Sequence, residues 1–300
     1  ERDFAGGEIE MMALRVLIVS ALAGSALSFV PSLSAPSLLA GGAALSRRGH
    51  FRVDGQSQAQ TGRTPRLKPA LRCRMSGKEV LSKEDRGKDN PAPDAYHYDY
   101  PRLCYHADAA FHATLTDLYD KELPPSGDEV RVLDLCSSWV SHYPSERQWG
   151  RVDGLGLNRE ELLKNPLLDF FQVRDLNQNR TLPYPDSVFD AVTCALSFQY
   201  MQYPEEVVAE LSRVMKPGGV AVVSFSNRMF PSKAIYAWKQ RSDGQRLELI
   251  KNYFKTSPSF PSPEGVDKTT PLHALSYLSA MTLGYTLCGD PFLAVVARKS

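Results

Sequence analysis

The chain has 300 residues, 43% of them hydrophobic and 23% charged, with a formal net charge of +1. This is the make-up of a globular protein with a sizeable core. The charge is unevenly placed: residues 1–75 carry ten Lys/Arg and five Asp/Glu, which leaves 25 basic and 29 acidic residues in the rest. A mildly acidic body argues against a nucleic-acid partner, which demands a basic surface. The five cysteines, Cys73, Cys104, Cys136, Cys194 and Cys288, contain no Cys-x-x-Cys pair. Neither a zinc site nor a disulfide framework is expected, and no other ligand cluster calls for a metal.

Residues 1–77 read as an address rather than a fold. Taking Met11-Met12 as the start, Arg15 precedes the apolar run Val16 to Ala23, and small residues follow at Ala26 and Ser28, the order of a signal peptide. The run is shorter than the ~20 residues of a membrane helix, so no stable span is expected in the mature protein. From Phe29 to Gly77 the only acid is Asp54, while arginines gather among Ser, Ala, Gly and Pro in the style of a transit peptide. The junction Ala26-Leu27-Ser28-Phe29-Val30-Pro31 resembles the bipartite signals of algae with secondary plastids, which implies a plastid location. A basic tail on a cytoplasmic protein is the alternative. Residues 78–95 are charged and Pro-containing and read as a linker, with a domain over 96–300.

Within that domain, Tyr96 to Arg102 is rich in aromatics and is expected to cap a site. Ala107 to Tyr119 has helical apolar spacing and stops at Leu123-Pro124-Pro125. Strands are expected at 130–135, 151–157, 170–175, 190–196 and 220–225. Asn158, with Glu161 three residues on, predicts an N-cap with its capping-box partner, and Asn165-Pro166 ends that helix. A second helix over Pro204 to Met215 carries Val207, Val208, Leu211 and Val214 on one face and ends at Lys216-Pro217-Gly218-Gly219. Gly284–Cys288 and Leu293–Ala297 are expected to pair as a hairpin. Alternating strands and helices predict an α/β fold with a mostly parallel sheet covered on both faces, with ligands beyond the strands' carboxyl ends.

Three segments carry a family resemblance. Asp134 ends the first strand. Asp175 ends the third and is followed by Leu182-Pro183-Tyr184-Pro185-Asp186-Ser187-Val188-Phe189-Asp190, and Leu211 to Gly219 leads into the fifth. In this order they resemble the class I S-adenosylmethionine-dependent methyltransferases, type 11 group, over roughly residues 130–300. Asp134 to His142, Gly156 to Leu162 and Ser224 to Arg228 are also similar to a methyltransferase-like group of plants and algae. The resemblance implies a Rossmann-like methyltransferase fold with seven strands and a C-terminal antiparallel hairpin. It further implies S-adenosylmethionine as cofactor and a small-molecule acceptor, and it leaves the oligomeric state open. Four positions depart from the family: Cys136, Ser138 and Val140 stand where glycines are usual, and Gly156 stands where an acid usually binds ribose hydroxyls. A catalytically inactive binding or scaffold protein is therefore the alternative to an enzyme. A nicotinamide-dependent oxidoreductase is argued against, because no glycine-rich turn follows the first strand.

By the same resemblance, the cofactor is expected against Asp134, Leu135, Cys136, Ser137, Ser138, Asn158, Asp175, Leu176 and Ser197. Asp134 would orient the methionine amino group and Asp175 the adenine amino group. Gln199, Tyr200 and His142 are the catalytic candidates, with His97, His106 and His273 behind them. Asn227 and Arg228 are expected to bind the acceptor, Arg228 through a carboxylate or phosphate. Trp139 is either a cofactor wall or core packing.

Overall fold

Strands and helices alternate along the chain as the apolar spacing predicts. In the computed structural model, which describes residues 79–269 and 289–300, the strands are β1 (Gly127–Leu135), β2 (Trp149–Gly156), β3 (Phe170–Val173), β4 (Phe189–Ala195), β5 (Met215–Phe225), β6 (Glu264–Asp267) and β7 (Leu293–Arg298). They form one sheet in the order β3-β2-β1-β4-β5-β7-β6. Strands β1 to β5 are parallel to their neighbours, and β7 runs antiparallel between β5 and β6. The helices are α1 (Asp94–His97), α2 (Ala109–Glu122), α3 (Arg159–Lys164), α4 (Pro204–Val214), α5 (Tyr236–Lys239) and α6 (Asp243–Lys255).

The sheet is buried on both sides because its strands alternate between two cores. Leu133, Val192, Ala221, Val223 and Val295 pack with α4 and α6 through Val208, Leu211, Ile250 and Phe254. Val132, Ala191, Val222 and Val296 face the other way, onto Phe111, Leu115, Leu118 and Tyr119 of α2. Neighbouring residues of one strand thus serve opposite layers, as the strand's period of two requires. Strand order reverses between β1 and β4, and that switch point opens a crevice at the carboxyl rim.

Several local expectations are corrected. Residues 79–95, expected as a linker, are part of the folded body. Leu81 is 1% exposed in the core, and the Val80 and Leu81 amides donate to Glu205 Oε1 of α4, each at 3.1 Å. Arg86 makes a forked pair with the same carboxylate, 3.0 Å to each oxygen. The charged residues that gave the segment its linker look are what pin it down. Asn158 does cap α3, accepting from the Glu160 and Glu161 amides at 2.9 and 3.0 Å. Glu161 is not its capping-box partner: its carboxylate accepts instead from the Arg102 amide at 2.7 Å and Ser138 Oγ at 2.5 Å. Segment Gly284–Cys288 lies outside the described residues. The antiparallel partner found for β7 is β6, whose Glu-Gly-Val-Asp sequence has no strand signature.

Strand β5 begins at Met215, directly after α4, rather than at Val220. Gly218 takes φ +77 there, inside a break in the β4–β5 register, a conformation glycine adopts without strain.

Glu205 is the group on which residues 79–95 hang. Glu205→Ala leaves Arg86 and two amides without their acceptor. The expected loss is about 3–5 kcal/mol, the usual result of removing one partner of a buried pair. Urea unfolding measures it as a lower midpoint at unchanged slope. A change below about 1 kcal/mol would show that the segment contributes little to the fold.

Candidate functional site

At the switch point lies a cavity of about 690 Å³, within the ~300–1,000 Å³ usual for small-molecule sites. Its floor is the loop after β1. Asp134, at the strand's end, is buried, and its carboxylate accepts from Ser137 Oγ at 2.6 Å, Ser141 Oγ at 2.7 Å and Thr193 Oγ1 of β4 at 3.3 Å. Asn165, at the end of α3, donates to the Ser138 carbonyl and to Ser141 Oγ, at 2.9 and 2.8 Å. Cys136 takes φ +57 and His142 φ +56, so the loop keeps left-handed turns without glycine at those positions. Cys136, Ser137 and Ser138 border the cavity, as expected.

The second family position shows why its acid is absent. A Cβ on Gly156 would lie 2.2 Å from the Ser137 carbonyl oxygen. The loop after β1 approaches the end of β2 so closely that any side chain there collides with backbone. Asn158 borders the cavity, yet its amide nitrogen is used on the Tyr98 and Asp99 carbonyls at 2.8 and 3.1 Å, and its oxygen caps α3. It holds the aromatic segment in place and has no donor hydrogen left over for a ligand.

Asp175, in the loop after β3, lines the cavity. Its Oδ1 accepts from the Asn177 amide at 2.8 Å, and its Oδ2 is buried with no hydrogen-bond partner among the described residues. Asn177 also donates to Asp94 Oδ2 at 2.8 Å and to the Tyr200 carbonyl at 2.9 Å. Asp94 in turn receives Lys88 at 2.7 Å and faces Lys233 at 3.2 Å, all three being buried. Burial lowers the Lys88 pKa, and the hydrogen bond that Lys88 donates to Asp94 opposes that shift. Leu176 and Ser197 border the cavity as well, and Leu135 packs in the core just behind it.

The catalytic candidates separate by chemistry. His142 stacks on His112 with centroids 4.1 Å apart, and burial and that neighbour push its pKa down to about 4. It is a neutral wall at pH 7 and a feeble base. Tyr200 accepts from the Phe230 amide at 2.9 Å, and burial raises its phenol pKa, so it stays protonated. Gln199 donates to the Leu196 carbonyl at 2.8 Å and leaves Oε1 buried without a partner among the described residues. His97 and His106 have pKa values lowered chiefly by burial, and His273 lies outside the described residues. Trp139 borders the cavity against Tyr105, 5.0 Å between centroids, and is wall rather than core.

On the acceptor side, Asn227 borders the cavity. Arg228 borders it too, but its Nε donates to Asp290 at 2.5 Å and its side chain is 61% exposed. It is tied to the rim by an ion pair that no sequence spacing announces, since the partners are 62 residues apart. Other lining residues carry no sequence signal of a site, among them Arg102, Glu161, His112 and Arg174. Arg102 is one member of an aromatic-rich stretch, and the spacing of Glu161 predicts only a helix-cap partner.

Desolvation raises the Asp134 pKa from 3.8 to about 6, against the three hydroxyl donors that pull it down. Between those values the folded protein keeps a proton that the unfolded chain has released. The stabilising effect of that proton is complete below about pH 4 and is lost as pH rises through 6. Asp134→Asn removes the titration. Urea unfolding of both proteins at pH 4 and pH 7.5 is expected to show wild type losing about 3 kcal/mol relative to the variant over that range. Parallel pH profiles would contradict the raised pKa.

Comparison with known proteins agrees with this geometry. Residues 148–223 match the family model described as a methyltransferase domain. The ubiquinone/menaquinone biosynthesis C-methyltransferase UbiE of Laribacter hongkongensis is 34% identical over 83 residues, 27% of this chain and 33% of that protein. UbiE of Burkholderia mallei is 45% identical over 56 residues, 18% of this chain and 23% of that protein. The chain thus spans a third or less of the curated relatives it matches. Among solved structures, the [4+2]-cyclase SpnF aligns at TM-score 0.43 and 18% identity, over 62% of this chain and 80% of that one. Geranyl diphosphate C-methyltransferase from Streptomyces coelicolor, solved with Mg2+, geranyl diphosphate and S-adenosyl-L-homocysteine, aligns at TM-score 0.40 and 14% identity, over 63% and 78%. Residues 148–223, which run from β2 into β5 of this sheet, are thus similar to a methyltransferase domain.

Proposed function

We propose that this protein is an S-adenosylmethionine-dependent methyltransferase acting on a small-molecule acceptor. One observation carries the proposal: the buried, unpartnered Asp175 Oδ2 beside a cavity at the carboxyl rim. A buried acceptor with no donor costs roughly 1–3 kcal/mol, a cost that an amino-bearing ligand removes. The residues present fit the cofactor. Asp175 would receive the adenine amino group. Asp134 acts through the loop, its carboxylate holding Ser137 and Ser141 where the backbone can meet the methionine end. Since Gly156 admits no acid, the ribose hydroxyls have no carboxylate at that position.

When bound, S-adenosylmethionine supplies an electrophilic methyl group on a sulfonium sulfur. What the protein must contribute is alignment, which alone supplies roughly 7–11 kcal/mol of barrier lowering. Gln199 Oε1 and the protonated Tyr200 hydroxyl are polar groups suited to orient the acceptor. Neither is a strong base, which suits an acceptor that loses its proton late or has none to lose. The match to UbiE supports methyl transfer without fixing the acceptor, because it covers only part of either chain.

Calorimetry of the full chain with S-adenosylhomocysteine tests the proposal. Wild type is expected to bind, and Asp175→Ala to weaken binding about tenfold to a hundredfold, the loss of one hydrogen bond to a charged group. Absence of heat at millimolar ligand with folded protein would refute the cofactor assignment. Binding by wild type with no loss in the variant would refute the role of Asp175. Binding without turnover on any acceptor would favour the scaffold alternative.

For location, we propose import into a plastid, supported by the composition and junction of residues 12–77. A fluorescent fusion is expected in the plastid, and Phe29→Ala is expected to arrest it before the interior. Diffuse cytosolic fluorescence from the wild-type fusion would overturn this.

A further inference from the structure

Among the described residues three arginines border the cavity, and two of them have their side chains engaged. Arg174 donates to the Thr181 carbonyl, and Arg228 pairs with Asp290. Arg102 differs. Its backbone amide is fixed on Glu161 Oε1 at 2.7 Å, while its side-chain Nη1 is buried with no hydrogen-bond partner among the described residues. The guanidinium lies against two rings, its carbon 5.5 Å from the Tyr98 centroid and 5.4 Å from that of Phe230. Phe230 also stacks on Tyr200 at 6.0 Å and meets His106 edge-on at 5.8 Å.

This is a permanent cation with an open donor, set into an aromatic wall. A guanidinium keeps its charge at every working pH, presents paired donors in one plane and sheds water more easily than an ammonium. Its unpartnered donor lacks an acceptor atom, and a carboxylate would supply two. Rings on the same wall favour a flat, unsaturated body by offset or edge contacts. The neighbouring histidines, with pKa values depressed by burial, add no competing positive charge at neutral pH.

We propose that Arg102 is the specificity-determining residue for the acceptor, and that the acceptor is a flat, unsaturated molecule bearing a carboxylate. This rests on the methyltransferase reading of the cavity. It moves to Arg102 the anion-binding role that the sequence suggested for Arg228, whose charge is already met by Asp290. The rings of Phe230 and Tyr98 hold the guanidinium in position, so replacing Phe230 by Leu weakens the same preference without removing charge.

Benzoate and its uncharged analogue benzamide are the probes, titrated into the full chain with and without saturating S-adenosylhomocysteine and followed by ligand-observed NMR. Wild type is expected to prefer benzoate at least tenfold. Arg102→Gln should bring the preference close to one while S-adenosylhomocysteine binds as before, Arg102→Lys should restore part of it, and Phe230→Leu should reduce it. Equal or absent binding of the two probes by wild type would overturn the proposal, as would a preference that survives in Arg102→Gln. A tenfold loss of S-adenosylhomocysteine affinity in Arg102→Gln, with the benzoate preference intact, would assign the residue to the cofactor's own carboxylate and also overturn it. If wild type fails to bind S-adenosylhomocysteine, the methyltransferase reading fails, and the probe preference measured without it still decides the role of Arg102.

Discussion

The buried carboxylate of Asp134 is the constraint on which the site depends. A single acid at the end of β1 collects hydroxyl donors from the following loop and from β4, so one charge fixes the spacing of two neighbouring strands and the path of the chain between them. Removing a carboxylate from water is costly, and the three hydroxyls only partly offset that cost, which is why its pKa stays raised. Asn165 then ties the same loop to the end of α3. Cys136 and His142 adopt positive φ because these bonds over-determine the turn.

A second buried network does the equivalent work on the opposite wall. Asp94, held by Lys88 and Lys233, receives Asn177, and Asn177 positions the loop that presents Asp175. The segment before the first strand is thus a structural part of the pocket. Through Glu205 and Arg86 it is anchored to α4, and through Asn158 and Glu161 its aromatic stretch is held above α3. Ligand contact and fold stability are coupled there, since the residues that close the cavity are fixed by the same bonds that dock the segment. Gly156 shows the same coupling: close approach of the loop after β1 to the end of β2 shapes the floor and at the same time excludes a side chain at that position.

Much of this was legible in the sequence, and for local reasons. Continuous apolar runs placed the five parallel strands to within about five residues at their ends, because each needs two buried faces. Asn158 was recognisable as a cap because capping is settled over three residues. Asp134 and Asp175 stood out because each closes an apolar strand. The spacing of Leu182 to Asp190 and of Leu211 to Gly219 carried the family. Strand β6 left no such trace: it is a four-residue edge with little to bury.

What only the tertiary structure decided are the pairings between residues far apart in the chain. Arg228 lost its expected role to an acid 62 positions away, and Glu161 left its cap for an amide 59 positions before it. Residues 79–95 carry no periodicity, so nothing in their spacing distinguishes a docked strap from a linker. Their ion pairs become stabilising only where burial strips water from both partners, and burial is a property of the assembled fold. The sequence by itself determined the five parallel strands and the two strand-end acids. Which charges remain free to meet a ligand was decided by the packing, because a charge is free only when no partner has been folded against it.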